Sequence, residues 1–217
     1  MVRPDALVFD LDGTLIDSRR DITTAINRMR AELGLPPLAL EQVVTMVGEG
    51  ARTLVERALP ERPDQVDHAF ARYLGHYEQV CLETTRPYPG IPEMLSSLSA
   101  RYPLALLSNK GEALSRKILD GLDLARFFRE VLGGDSLATR KPDPGGLRLL
   151  AERLKVSVER LLLIGDTWID AETARNAGCA FALVEWGFPK PSNLDAVKAD
   201  LRAATAGELA AALLAVQ

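Results

Sequence analysis

Two carboxylates one residue apart, Asp10 and Asp12, interrupt the apolar, β-forming run Ala6-Leu-Val-Phe-Asp-Leu-Asp-Gly-Thr-Leu-Ile16. Residues 6–9 read as a strand buried on both faces, where an unpaired ionised carboxylate is costly or takes up a proton. Either the strand ends in a polar turn on Asp12 and Gly13, or the acids sit where a cation meets an anionic substrate. Other polar residues also follow apolar runs: Ser108, Asn109 and Lys110 after 104–107, Lys141 within Thr-Arg-Lys-Pro-Asp-Pro, and Gly165, Asp166 and Asp170 after 161–164. Brought together, they suit displacement at a phosphate monoester. Such a dianion repels a carboxylate nucleophile unless positive charge is supplied. A Mg²⁺ held by Asp10 and Asp166, with Asp12 the third residue of the set and a backbone carbonyl and waters completing the octahedron, would screen that repulsion. Lys141, with backbone amides near Thr14 and Ser108, would cradle the phosphoryl oxygens. Asp10 can then attack phosphorus, while Asp12 protonates the departing oxygen and later activates water. This requires Asp12 to begin protonated, which neighbouring carboxylates would favour.

Open parallel sheets bind ligands at the carboxyl ends of their strands, so these residues call for such a sheet. Five short apolar runs, 7–9, 104–107, 130–132, 161–164 and 181–184, each end in a turn or cap residue. Helical patterns over 91–99, 112–119, 146–154 and 169–177 alternate with them, the last closed by Gly178. The expected class is α/β with a parallel sheet. The first two runs are too far apart for one crossover helix, and the stretch between them reads as amphipathic helices over 22–33, 40–47, 52–59 and 66–80. Residues 18–85 are therefore expected to form an all-helical cap inserted into a core made of 1–17 and 86–217. Pro87, Pro89 and Gly90 mark the stiff return.

The chain has 217 residues, 47% hydrophobic content and a net charge of −4. That suits one core plus a small accessory unit, and small anions rather than nucleic acid or an anionic membrane as partners. Cys81 and Cys179 are the two cysteines and have no metal-binding spacing. No basic segment followed by an apolar one opens the chain, so the expectation is a cytoplasmic protein, monomeric or homodimeric.

The segments "DLDGTLIDS", "LLSNK", "RKPDP" and "LLIGDTWIDAETARNAG" resemble the four ordered motifs of the haloacid dehalogenase superfamily. The resemblance implies a Rossmann-like core with strand order 5-4-1-2-3, a helical cap closing over the site, and Mg²⁺-dependent phosphatase chemistry. Within the family, "VGEGARTLVERAL" and "SNK" are similar to the phosphoglycolate phosphatases, which implies a small phosphorylated metabolite, 2-phosphoglycolate, as substrate. Sugar phosphatases, pyrophosphatases and phosphomutases share much of this pattern. Asp12 argues against dehalogenase chemistry, which does not need it. The absence of lysine from 18–85 argues against a phosphonatase-type Schiff base. A protein that binds without catalysis is the reading from another class, and the filled catalytic positions speak against it.

Several residues carry two readings. Asp12-Gly13 could be only a turn, Lys141-Pro142 a loop start and Asp166 a helix cap, but four such pieces in order argue jointly for a site. Asp170 could face the metal, support Lys141 or cap a helix, and the support role is favoured. Arg52 could bind a substrate carboxylate or pair with Glu49 or Glu56 on a solvated helix. His68 and His76 are read as structural, Trp168 as packing, and both cysteines as small hydrophobes. The expected substrate-binding set is Thr14, Arg52, Ser108, Asn109 and Lys141.

Overall fold

The computed structural model describes residues 3–188 and 197–215, so the remaining stretches of the expected core, 1–2, 189–196 and 216–217, lie outside the described residues. Six parallel strands form one sheet: β1 (Ala6–Phe9), β4 (Leu104–Leu107), β5 (Phe128–Leu132), β6 (Leu161–Gly165), β7 (Ala180–Val184) and β8 (Leu201–Ala203), in the order β5-β4-β1-β6-β7-β8. Read from the other edge, this is the expected order with β8 added outside. The register pairs Leu7 with Leu104 and Leu162, which places the ends of β1, β4 and β6 at one edge.

Every residue of β1 is fully buried, because alternating side chains feed two apolar layers. Leu7, Phe9, Leu104, Leu106, Leu162 and Ile164 join the layer that includes α5 (Ile91–Ser99) and α9 (Ala206–Ala215). Ala6, Val8, Ala105, Leu107, Leu161 and Leu163 meet α7 (Gly145–Leu154) and α8 (Trp168–Ala177) on the other face. Helix α6 (Glu112–Gly121) follows β4, and Gly178 closes α8 in the left-handed conformation.

Between β1 and β4 lie α1 (Arg19–Glu32), α2 (Leu40–Val44), α3 (Ala51–Ala58) and α4 (Val66–Val80). Their apolar faces, including Ile26, Met29, Leu54, Val55 and Tyr73, are continuous with the first core layer. The insert enters and leaves through a two-residue ribbon, β2 (Ile16–Asp17) against β3 (Arg86–Pro87). Beside it, the carboxylate of buried Asp21 accepts hydrogen bonds from the amides and hydroxyls of Thr84 and Thr85 at 2.5–3.0 Å. One acid in the first turn of α1 thus fixes the returning strand. Among the described residues, no helix is long and apolar enough to cross a membrane.

Asp21→Ala leaves those donors facing a buried gap and is expected to lower the unfolding free energy by about 1.5–3 kcal/mol, read from urea denaturation. A change within about 0.5 kcal/mol would show that water replaces the carboxylate.

Candidate active site

The β1 backbone runs straight into the site: Asp10 N still donates to Ile164 O at 2.9 Å, so its side chain is held at the strand end. The chain then turns sharply, with Gly13 N bonded to Ile16 O at 2.9 Å. Gly13 has φ +83°, and a Cβ there would overlap the Asp166 carboxylate, so glycine is required twice over, by conformation and by space. Asp166 follows β6. Its Oδ1 accepts from Thr14 Oγ1 and its Oδ2 from Phe188 N, both at 3.1 Å.

Lys141 is buried among acids. Its Nζ donates to Asp170 Oδ1 at 2.7 Å and lies 2.9 Å from Asp10 Oδ1. At that distance the ammonium meets Asp10 Oδ1 as an ion pair, and no other donor reaches this buried oxygen. The other Asp170 oxygen accepts from Thr167 N at 3.1 Å and Thr167 Oγ1 at 2.6 Å, and Asp170 N donates back to that hydroxyl, forming the capping box of α8. Asp170 therefore both supports Lys141 and caps the helix.

Asp10, Asp166 and Asp170 each bring one carboxylate oxygen within 4.8 Å of the others. Burial pushes Asp166 up to about 8, reinforced by the charges of Asp170 and Asp10. Burial also raises Asp10, to about 6, against the pull of Lys141. Burial alone would lower Lys141, but Asp10 and Asp170 outweigh it and hold its ammonium charged. The ammonium thus pairs with two of the three carboxylates, and Asp166 is left to the Thr14 hydroxyl and the Phe188 amide. The Asp10 oxygen, which no donor but that ammonium reaches, and the all-oxygen donor set fit a hard divalent cation.

Asp12 stands apart from that cluster. Its carboxylate accepts from Ser18 Oγ and pairs with Lys110 Nζ at 2.9 Å. Lys110 Nζ also bonds the Tyr77 hydroxyl at 2.5 Å and lies 4.4 Å from the centre of its ring, which belongs to cap helix α4. The expectation that carboxylates surround Asp12 is therefore corrected: its charged partner is an ammonium. That pairing joins residues 98 positions apart and has no local sequence signal.

The remaining expected residues divide. Ser108 and Asn109 are buried at the end of β4, and Asn109 Nδ2 donates to Gly48 O of the cap at 2.9 Å and to Lys141 O at 3.0 Å. Thr14 is also buried, but its amide bonds Leu11 O and its hydroxyl Asp166, so it braces an acid rather than facing the cleft. Arg52 lines the cleft, with its guanidinium paired to Glu56 at 3.2 Å and Asp67 at 2.7 Å. Trp168, expected to pack, is 45% exposed. His76 bonds Glu32, and Cys81 is buried. Asp10, Asp12, Ser108 and Asn109 open onto a cavity of about 400 Å³ between cap and core, walled on the cap side by Leu54, Phe70 and Leu74.

Fold and site together define a Rossmann-like hydrolase core with a helical insert. The family profile described as haloacid dehalogenase-like hydrolase matches residues 7–184. The chain is 41% identical over 197 residues to the phosphoglycolate phosphatase of Rhodospirillum rubrum, covering 86% of this chain and 82% of that one. It is 39% identical over 186 residues to that of Aquifex aeolicus, covering 85% and 86%. The crystal structure of a predicted phosphoglycolate phosphatase from Haemophilus somnus matches with a TM-score of 0.90 at 28% identity, over 96% of this chain and 97% of that one. The chain belongs to the haloacid dehalogenase-like hydrolase family.

The raised acids give a pH dependence of known sign. Asp10 and Asp166 hold protons in the folded metal-free protein up to about 6 and about 8, above the unfolded value of 3.8. Their contribution to stability is therefore largest at low pH and is lost as pH rises through those values. A cation competes with the same protons, so its binding strengthens over the same window. The rise in Tm on exchanging EDTA for Mg²⁺ is expected to be larger at about pH 8.5 than at about pH 5.5. A pH-independent rise would contradict the carboxylate assignment.

Proposed function

We propose that this protein is a Mg²⁺-dependent phosphatase acting on a small phosphate monoester, with 2-phosphoglycolate as the substrate. The observation that carries the reading is the buried group Asp10, Lys141, Asp166 and Asp170 at the sheet edge, from which Asp10, with Asp12 beside it, opens into the capped cavity. The similarity to proteins named phosphoglycolate phosphatase supports the choice of substrate.

In this reading Asp10 attacks phosphorus through a carboxylate oxygen, and the bond to the leaving oxygen breaks as Asp12, which has to enter the step protonated despite its pairing with Lys110, gives that oxygen a proton. An aspartyl-phosphate remains. Asp12 then takes a proton from water, the water oxygen attacks phosphorus, and the Asp10 carboxylate leaves with phosphate released. Lys141 neutralises charge at the Asp10 end, and the Ser108 hydroxyl and the main-chain amide of Asn109 orient phosphoryl oxygens. Asp10 and Asp166, with the main chain of Asp12, would hold Mg²⁺, which supplies the positive charge that lets an anion meet a dianion. Closure of the cap about 17–18 and 85–89 would exclude bulk water.

A bulkier phosphate monoester, such as a sugar phosphate, is the second reading. It is favoured by the apolar wall of Leu54, Phe70, Leu74 and Leu114, since a cavity of about 400 Å³ is roomier than a two-carbon acid needs. A purified-enzyme screen of 2-phosphoglycolate, sugar phosphates, nucleotides and pyrophosphate separates the two by relative kcat/KM.

Asp10→Asn keeps the shape but removes the nucleophile, and is expected to lower kcat about a thousandfold or more while the circular dichroism spectrum is unchanged. Beryllium fluoride with Mg²⁺ is expected to inhibit the wild type by occupying the phosphoryl position. Retained turnover in the variant would overturn the role of Asp10.

A further inference from the structure

The phosphoryl group accounts for Lys141, Ser108 and Asn109, but a carboxylate-bearing substrate presents a second charge. Four cations line the cavity: Arg52, Lys110, Lys117 and Arg140. Three of them are engaged. Arg52 pairs with Glu56 and Asp67, Lys110 with Asp12, and Lys117 with Glu78. Among the described residues, Arg140 has no carboxylate partner and is exposed. We infer that Arg140 is the specificity residue that receives the distal anionic group of the substrate, a carboxylate, and that Arg52 is held in the cap by its acids.

The placement follows from two neighbours. Arg140 directly precedes Lys141, whose Nζ is anchored by Asp10 and Asp170, so its backbone stands about 3.8 Å from that of the phosphoryl cation. Its side chain runs across the cap turn at Gly50. A Cβ there would fall 2.7 Å from Arg140 Nη1, and Gly50 has φ +96°, so the glycine leaves the guanidinium its space. The phosphoryl end and the cap wall are therefore spanned by adjacent residues of one core loop. A guanidinium offers a carboxylate two parallel donors, which a hydroxyl-capped analogue cannot match.

This inference rests on the phosphatase reading above, and its test separates the two. The wild type and Arg140→Gln are assayed on 2-phosphoglycolate, on 2-hydroxyethyl phosphate, which has a hydroxyl in place of the carboxylate, and on p-nitrophenyl phosphate. Binding of the first two ligands is also measured by calorimetry in the Asp10→Asn background, with and without Arg140→Gln. The expected result is a loss of about tenfold or more for 2-phosphoglycolate, in kcat/KM and in affinity, with changes within about twofold for the other two compounds. Arg140→Lys is expected to recover part of the loss, and Arg52→Ala to spare the preference for carboxylate. Equal losses on all three compounds would show that Arg140 serves only to place Lys141, and an unchanged preference would show that it does not meet the carboxylate; either overturns the inference. A wild type that hydrolyses none of the three overturns the phosphatase reading instead, and the calorimetric comparison still decides Arg140.

Discussion

Three clustered buried carboxylates, two of them paired with one buried ammonium, form the constraint on which the rest of this structure depends. Asp10, Asp166 and Asp170 sit at the carboxyl edge of a sheet whose central strand is wholly apolar, and among the described residues Lys141 is the cation that pairs with two of them, Asp10 and Asp170. Such a group is stable only if its surroundings restrain it and supply the missing charge. The restraint is visible at each member. Thr14 and the Phe188 amide hold Asp166, the capping box of α8 holds Asp170, and the sheet holds the Asp10 backbone. The missing charge is what makes the site reactive: carboxylates raised by burial and mutual repulsion favour a cation and reward the close approach of groups that bring positive charge.

The cap is tied to this edge by polar contacts as well as by shared apolar packing. Asp12 reaches α4 through Lys110 and the Tyr77 hydroxyl, while Asn109 links the Gly48 carbonyl of the cap to the backbone of Lys141. A change in cap position therefore acts on the proposed acid and on the loop of the anchored cation through separate contacts. The ribbon of β2 and β3, pinned by Asp21, keeps both ends of the insert at one place beside Asp12. In the proposed reading, closing the cavity and completing the site would be one event.

Much of the fold was legible in the sequence because its strands are short, apolar and buried on both faces, as the run ending at Asp10 shows. β8 was not, since a three-residue edge strand containing Arg202 has neither length nor alternation to mark it. The acids after β1 and β6 were legible because carboxylates directly after buried strands are unusual. What stayed hidden depends on pairing across the chain. Arg52 has a visible partner in Glu56, one helical turn away, but Asp67, which comes from the start of α4, could not be read from spacing. The partnership of Lys110 with Asp12 and the passage of Arg140 over Gly50 are likewise products of the fold. Thr14 lay in the right motif, yet its hydroxyl turned to the buried acid beside it, where the need for a donor is greatest.

The central claim is that Asp10 becomes covalently phosphorylated within this cluster. Rapid acid quenching of the enzyme during turnover, followed by peptide mass spectrometry with and without hydroxylamine, tests it most directly. The account predicts a hydroxylamine-labile phosphate on the peptide carrying Asp10, present at steady state and lost when substrate is exhausted. Phosphate located on another residue, or turnover whose phosphorus passes from substrate to water with inversion of configuration, would contradict it.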